Sequence, residues 1–200
     1  MIDSEKLLKK VMDNINIIDE KDIPAIDLYM DQITTFMDKH LANSKRFEDD
    51  KILTKTMINN YAKNDLLPPP VKKRYSKEHI IFLIFIYYFK SYLSINDIKT
   101  ILEPVADKYF DNSSDITIEK IYDSVCKMQK NLQEDIKEDI LSKINLSHEF
   151  FSDSPAKDKN YLQLYMLISE LSFDVYIKKQ MIEKIVDQLN KSTPANKDKK

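Results

Sequence analysis

Apolar residues recur at intervals of three and four along most of this chain, a spacing that predicts helices from end to end. Leu7, Leu8, Val11, Met12 and Ile15 form one side of a first helix, capped by Ser4 and reaching about Asn16. After a connector at Asp19–Pro24, Met30, Ile33, Phe36 or Met37, and Leu41 mark a second helix over Asp27–Leu41. Asn43–Lys51 is polar and reads as a loop. Thr54 then caps a short helix, with Met57, Ile58 and Tyr61 inward and Lys55, Thr56, Asn59, Asn60 and Lys63 outward. Asn64-Asp65 stops it, Leu66 and Leu67 anchor the exit, and Pro68-Pro69-Pro70 prevents the helix from continuing. Ser76 caps the next helix. Its stretch Ile80–Phe89 is apolar on every side, which predicts the buried centre of a domain. The aromatics Phe82, Phe85, Tyr87, Tyr88 and Phe89 accordingly read as core rather than as a ligand box. Ser94 caps Ile95–Leu102, Pro104 marks a break, and Val105–Phe110 reads as a separate short helix.

The second half has a different texture. Beyond a loop at Asp111–Asp115, Thr117 caps a long helix ending near Asn145. Its stripe is Ile118, Ile121, Val125, Met128, Leu132, Ile136, Ile140 and Ile144. After a connector at His148–Lys159, the last helix runs over Asn160–Asn190. Tyr161, Leu164, Ile168, Leu171, Val175, Ile182, Ile185 and Leu189 fill a heptad seam that only Lys178 interrupts. Such a seam pairs with another helix, in this chain or in a second copy. The expected organisation is an N-terminal helix and connector (1–22), a helical domain (23–103), a helical C-terminal region (104–191) and a polar, unstructured tail (192–200).

Composition narrows the fold to the all-α class. The chain of 200 residues has no glycine, the residue that most easily takes positive φ. Its absence disfavours Rossmann and P-loop phosphate cradles and hairpin-rich β folds. The single cysteine, Cys126, allows no intrachain disulfide, and a cytoplasmic location is expected. The N-terminus is unlike a signal peptide, and the longest apolar run is too short for a bilayer, which needs about 20 residues. No membrane association is therefore expected.

Charge singles out one region. The net charge is −2, yet Lys51–Lys77 holds seven basic residues and one acid, Asp65. That segment is therefore +6 and the remainder −8. A local basic patch on an acidic body suits a nucleic-acid binder of limited footprint, and a solvated lysine-rich loop has the same charge. Other chemistry is sparse. His40, His79 and His148 lack metal-ligand spacing, Cys126 reads as a small helix residue, and Asp135, Glu138 and Asp139 read as a solvated face. Neither a catalytic constellation nor a cofactor is expected.

The stretch Leu53–Leu102 resembles the DNA-binding domain of MerR-type transcriptional regulators. The residues that carry the likeness are Tyr61, Leu66-Leu67-Pro68, Arg74-Tyr75-Ser76, Ile95, Ile98, Lys99 and Leu102. Ile23–Leu102 also looks like an uncharacterised bacterial family of MerR-like regulators of unknown function. The resemblance implies a winged helix-turn-helix with a reduced wing. Thr54–Asn64 would be the recognition helix in a major groove, and Lys72–Tyr75 the wing beside phosphates. The DNA-facing set would be Lys55, Thr56, Asn59, Asn60, Lys63, Lys72, Lys73, Arg74 and Tyr75. Asn59 and Asn60 stand where the family has arginine and tyrosine, and the wing lacks its turning glycine. Double-stranded DNA is thus the expected partner of a homodimer, with room for a small-molecule or protein effector. A protein-interaction module that kept the scaffold but lost DNA is the alternative. Leu164, Ile168, Leu171, Val175, Ile182, Ile185 and Leu189 are the expected dimer seam.

Overall fold

A computed structural model describes residues 2–110 and 115–192. Most of the loop at Asp111–Asp115 and the tail beyond Ser192 lie outside the described residues. The described chain is mostly helical. Its helices are α1 (Ser4–Asn14), α2 (Met30–Leu41), α3 (Lys55–Lys63), α4 (Lys77–Phe89), α5 (Ile95–Tyr109), α6 (Ile118–Glu149) and α7 (Ala156–Ser192). Two short strands, β1 (Leu28–Tyr29) and β2 (Arg74–Tyr75), complete it. The chain divides into two compact units. One comprises residues 16–127 with the end of α7 from Ile182, and the other comprises α1 with residues 128–181 of α6 and α7.

The first unit is built around α4. Ile80, Ile81, Phe82, Leu83, Ile84 and Ile86 are all buried, so this helix has no solvent face over two turns. Each such side chain contributes about 1.5–3 kcal/mol by leaving water. Ile33, Met37 and Leu41 of α2, Ile58 and Tyr61 of α3, and Ile98 and Leu102 of α5 close around it. Met37, not Phe36, takes the fully buried position on α2. The connector before α2 is tied in by polar contacts. Tyr122 Oη donates to the Ile18 carbonyl at 2.6 Å, and Tyr88 Oη to the Asn16 carbonyl at 3.1 Å. Burial pushes the Tyr122 hydroxyl well above the ordinary tyrosine range. Cys126 is buried beside the same Ile18 carbonyl, a small helix residue in a packed core. From the far end of the chain, Ile182 packs against this core and Thr100 Oγ1 donates to Asn190 Oδ1 at 2.9 Å.

Several boundaries differ from the sequence reading. Asp3, not Ser4, caps α1, its carboxylate accepting from the Lys6 N–H. Asp27–Tyr29 is not helical, because Leu28 and Tyr29 pair with Tyr75 and Arg74 in an antiparallel ladder. Pro104 does not break the chain but sits inside α5, so Val105–Phe110 is no separate helix. An interior proline costs about 3 kcal/mol. Ile98 and Leu102 before it, and Val105, Ala106 and Tyr109 after it, all pack on the core and outweigh that cost. The helix α6 continues to Glu149 and α7 begins at Ala156, which shortens the expected connector.

In the second unit, Leu8 of α1, Ile144 of α6 and Leu167 of α7 form a small core with Met12, Ile140, Leu141 and Leu171. Lys143 bridges Asp139 on its own helix and Asp174 on α7, and Asp174 also pairs with Lys178. The hydrogen bonds from Lys178 and Lys143 hold the Asp174 carboxyl below the usual range.

Candidate nucleic-acid interface

The basic segment is built by local rules at each step. Thr54 Oγ1 accepts from the Met57 N–H at 3.1 Å and starts α3. Ile58 and Tyr61 are buried while Lys55, Thr56, Asn59, Asn60 and Lys63 are exposed, as their spacing predicts. The helix ends in a Schellman motif without glycine. The Leu66 N–H bonds the Tyr61 carbonyl at 2.9 Å, the Asp65 N–H bonds the Ala62 carbonyl at 3.3 Å, and Asp65 takes φ 55°. Leu66 and Leu67 are buried and anchor the exit, and residues 68–70 are non-helical.

Where the resemblance implies a reduced wing, residues 71–74 form a tight turn. The Arg74 N–H bonds the Val71 carbonyl at 2.9 Å, with Lys72 at φ 50° and Lys73 at φ 64°. Two central residues of positive φ across such a bond make a type I′ turn, a geometry dominated by Gly, Asn and Asp. Here two exposed lysines occupy it. Left-handed backbone costs a residue with a Cβ about 1–2 kcal/mol, so the tip carries local strain.

Arg74, next in line, is fixed by Tyr29 of β1. Its Nη2 donates to Tyr29 Oη at 3.1 Å, and its guanidinium carbon lies 5.2 Å from the ring centroid. Two residues further, Asp31 at the start of α2 forms an ion pair with Lys55. The β1–α2 junction therefore touches both the first residue of α3 and Arg74 beside the turn. Lys63, Lys72 and Lys73 make no ion pair with the described residues, whereas Lys77 is half-buried against Glu20.

Tyr75 departs from the expected set. It is only 3% exposed, it packs edge-on against the His79 ring, and burial raises its hydroxyl pKa. Strand alternation explains this, since β2 turns Arg74 outward and Tyr75 inward. Sequence reasoning missed Tyr29, Asp31 and Glu20, which reach the basic segment only through the tertiary fold. The expected dimer seam is divided. Leu164 is half-buried, Leu171 packs within its own unit, and Ile182 packs on the other unit's core. Ile168, Val175, Ile185 and Leu189 remain exposed.

Fold and surface together define a mainly helical domain that presents a cationic helix face and a cationic turn. The chain belongs to the family described as Domain of unknown function (DUF1836), whose model matches residues 18–125. No curated protein and no solved structure matches it. The matched stretch nearly coincides with the 16–127 portion of the first compact unit. No helix among the described residues is long and apolar enough to cross a membrane.

Proposed function

We propose that this protein is a MerR-like, DNA-binding transcriptional regulator that acts as a cytoplasmic homodimer. The observation that carries the reading is the pairing of an exposed polar face on α3 with an ordered, cationic wing turn. Lys63, Lys72, Lys73 and Arg74 neutralise phosphates, which gives salt-dependent affinity without sequence preference. Thr56, Asn59 and Asn60 meet base edges in the major groove. Asparagine pairs bidentately with adenine N6 and N7, which favours A·T-containing sites. Dimerisation runs along α7 through Ile168, Val175, Ile185 and Leu189 and gives the protein two half-sites to read.

A duplex-binding titration over salt concentration tests this. The expected result is a linear fall of log affinity with log salt, lost when Lys72, Lys73 and Arg74 become Glu. Absence of binding at low salt refutes the reading. For the dimer, Val175→Lys is the informative variant, because Val175 is 63% exposed and its change leaves the chain's own core intact. A variant that stays dimeric by light scattering refutes the α7 seam.

The Asp31–Lys55 ion pair favours a second reading, a protein-interaction module on the same scaffold. It places a carboxylate where a phosphate would approach α3. Capture of one protein partner, with no duplex binding at any salt, selects that reading.

A further inference from the structure

We propose that Tyr29 is a positioning residue of the interface, holding Arg74 in the one orientation in which the wing meets a phosphate. The inference rests on the DNA-binding reading and adds to it a residue outside the basic segment. Three contacts converge on the pair. Tyr29 and Arg74 are partners in the β1–β2 ladder, Tyr29 Oη accepts from Arg74 Nη2 at 3.1 Å, and the guanidinium lies 5.2 Å over the Tyr29 ring. The Tyr29 backbone is itself tied, because its N–H donates to Gln32 Oε1 at 2.8 Å. Yet 49% of Tyr29 is exposed, so its ring is not there to fill the core. Arg74 follows immediately on the two strained lysines of the turn. A free arginine loses rotamer freedom when it binds, and one already held loses less. The pair thus presents a held guanidinium beside two exposed ammonium groups.

Two measurements separate this role from that of a direct contact. The chain has only two arginines, Arg46 and Arg74, so arginine Nε–H signals in a nitrogen-15 NMR spectrum are few and assignable with Arg46→Lys. Without DNA, the Arg74 signal is expected to show backbone-like rigidity in the native chain and in Tyr29→Phe, which keeps the ring. It is expected to become mobile in Tyr29→Ala. In duplex titrations, Tyr29→Ala is expected to lose about three- to tenfold in affinity with an unchanged salt slope. Tyr29→Phe recovers most of that loss, whereas Arg74→Ala lowers the slope by about one. Thermal melts of each variant exclude unfolding as the cause. A mobile Arg74 in the native chain overturns the inference, as does a Tyr29→Ala variant that binds like the native chain. Where the native chain still binds duplex in either case, the DNA reading stands and only the positioning role fails. If the native chain binds no duplex while Arg74 is rigid, the DNA reading fails and the positioning role fails with it.

Discussion

Replacing Lys72-Lys73 with Asn-Gly should stabilise the protein while weakening the DNA binding proposed for it. Both residues sit at positive φ in a type I′ turn, where a side chain with a Cβ costs about 1–2 kcal/mol. Asparagine tolerates that geometry and glycine is indifferent to it. Glycine also loosens the unfolded chain, which returns about 0.4–1 kcal/mol. The double variant should therefore gain about 1–2 kcal/mol, or a melting temperature higher by about 3–6 °C for a chain of this size. Binding should move the other way. Each phosphate contact scales as salt to about the power −0.9, worth roughly 15-fold at 50 mM relative to 1 M. Two lost contacts should cut low-salt affinity by roughly two orders of magnitude and lower the slope by about two. Urea unfolding and fluorescence anisotropy on a labelled duplex measure the two effects. Lys72→Gln with Lys73→Gln is the control, since it removes charge without relieving strain. It should lose affinity and gain no stability. An Asn-Gly variant no more stable than the native chain refutes the strain argument, and undiminished duplex binding refutes the wing's role.

Asp31→Asn should raise low-salt duplex affinity several-fold and steepen the salt slope by up to one, because Lys55 is released to a phosphate. An unchanged slope would mean Lys55 is not at the interface. Thr54→Ala should cost about 1 kcal/mol in urea unfolding by removing the α3 cap. Phe82→Ala should cost about 3–5 kcal/mol, since this side chain is fully buried in the α4 core. For Asp174, the folded-state pKa lies below the unfolded value, so its contribution is present above about pH 4 and fades as pH falls through the folded value. Acid unfolding of Asp174→Asn should therefore differ from the native chain near neutrality and converge with it in strong acid.

Patterns that depend on near neighbours were legible in the sequence. The apolar ten-residue run announced α4, and Thr54, Ser76 and Ser94 sit immediately before the helices assigned to them. Features that depend on distant neighbours were not. Nothing local tells Leu28-Tyr29 to extend, because the partners that satisfy their backbone lie at Arg74 and Tyr75. Pro104 reads as a stop until the packing on both sides of it is known. On α3 the outward face followed from spacing alone. The acids that temper the patch, Asp31 and Glu20, enter from segments that a charge count along the sequence leaves out. The regular seam on α7 mixed residues that pack within the chain with residues that face solvent, since periodicity marks an apolar face but not its partner.

The residues that complete the first unit are translated well after the rest of it. Ile182 packs against a core whose other members precede residue 127, and Asn190 bonds back to Thr100. At about 5–20 residues per second, translating residues 128–181 takes about 3–10 s. Over that interval the part of the core that Ile182 packs against emerges without it. The nascent chain is thus open to chaperones, or to a neighbour on the same message, at a point the finished protein conceals. A stop codon just before Ile182 should yield a product that retains its helices but is more readily degraded than the full chain.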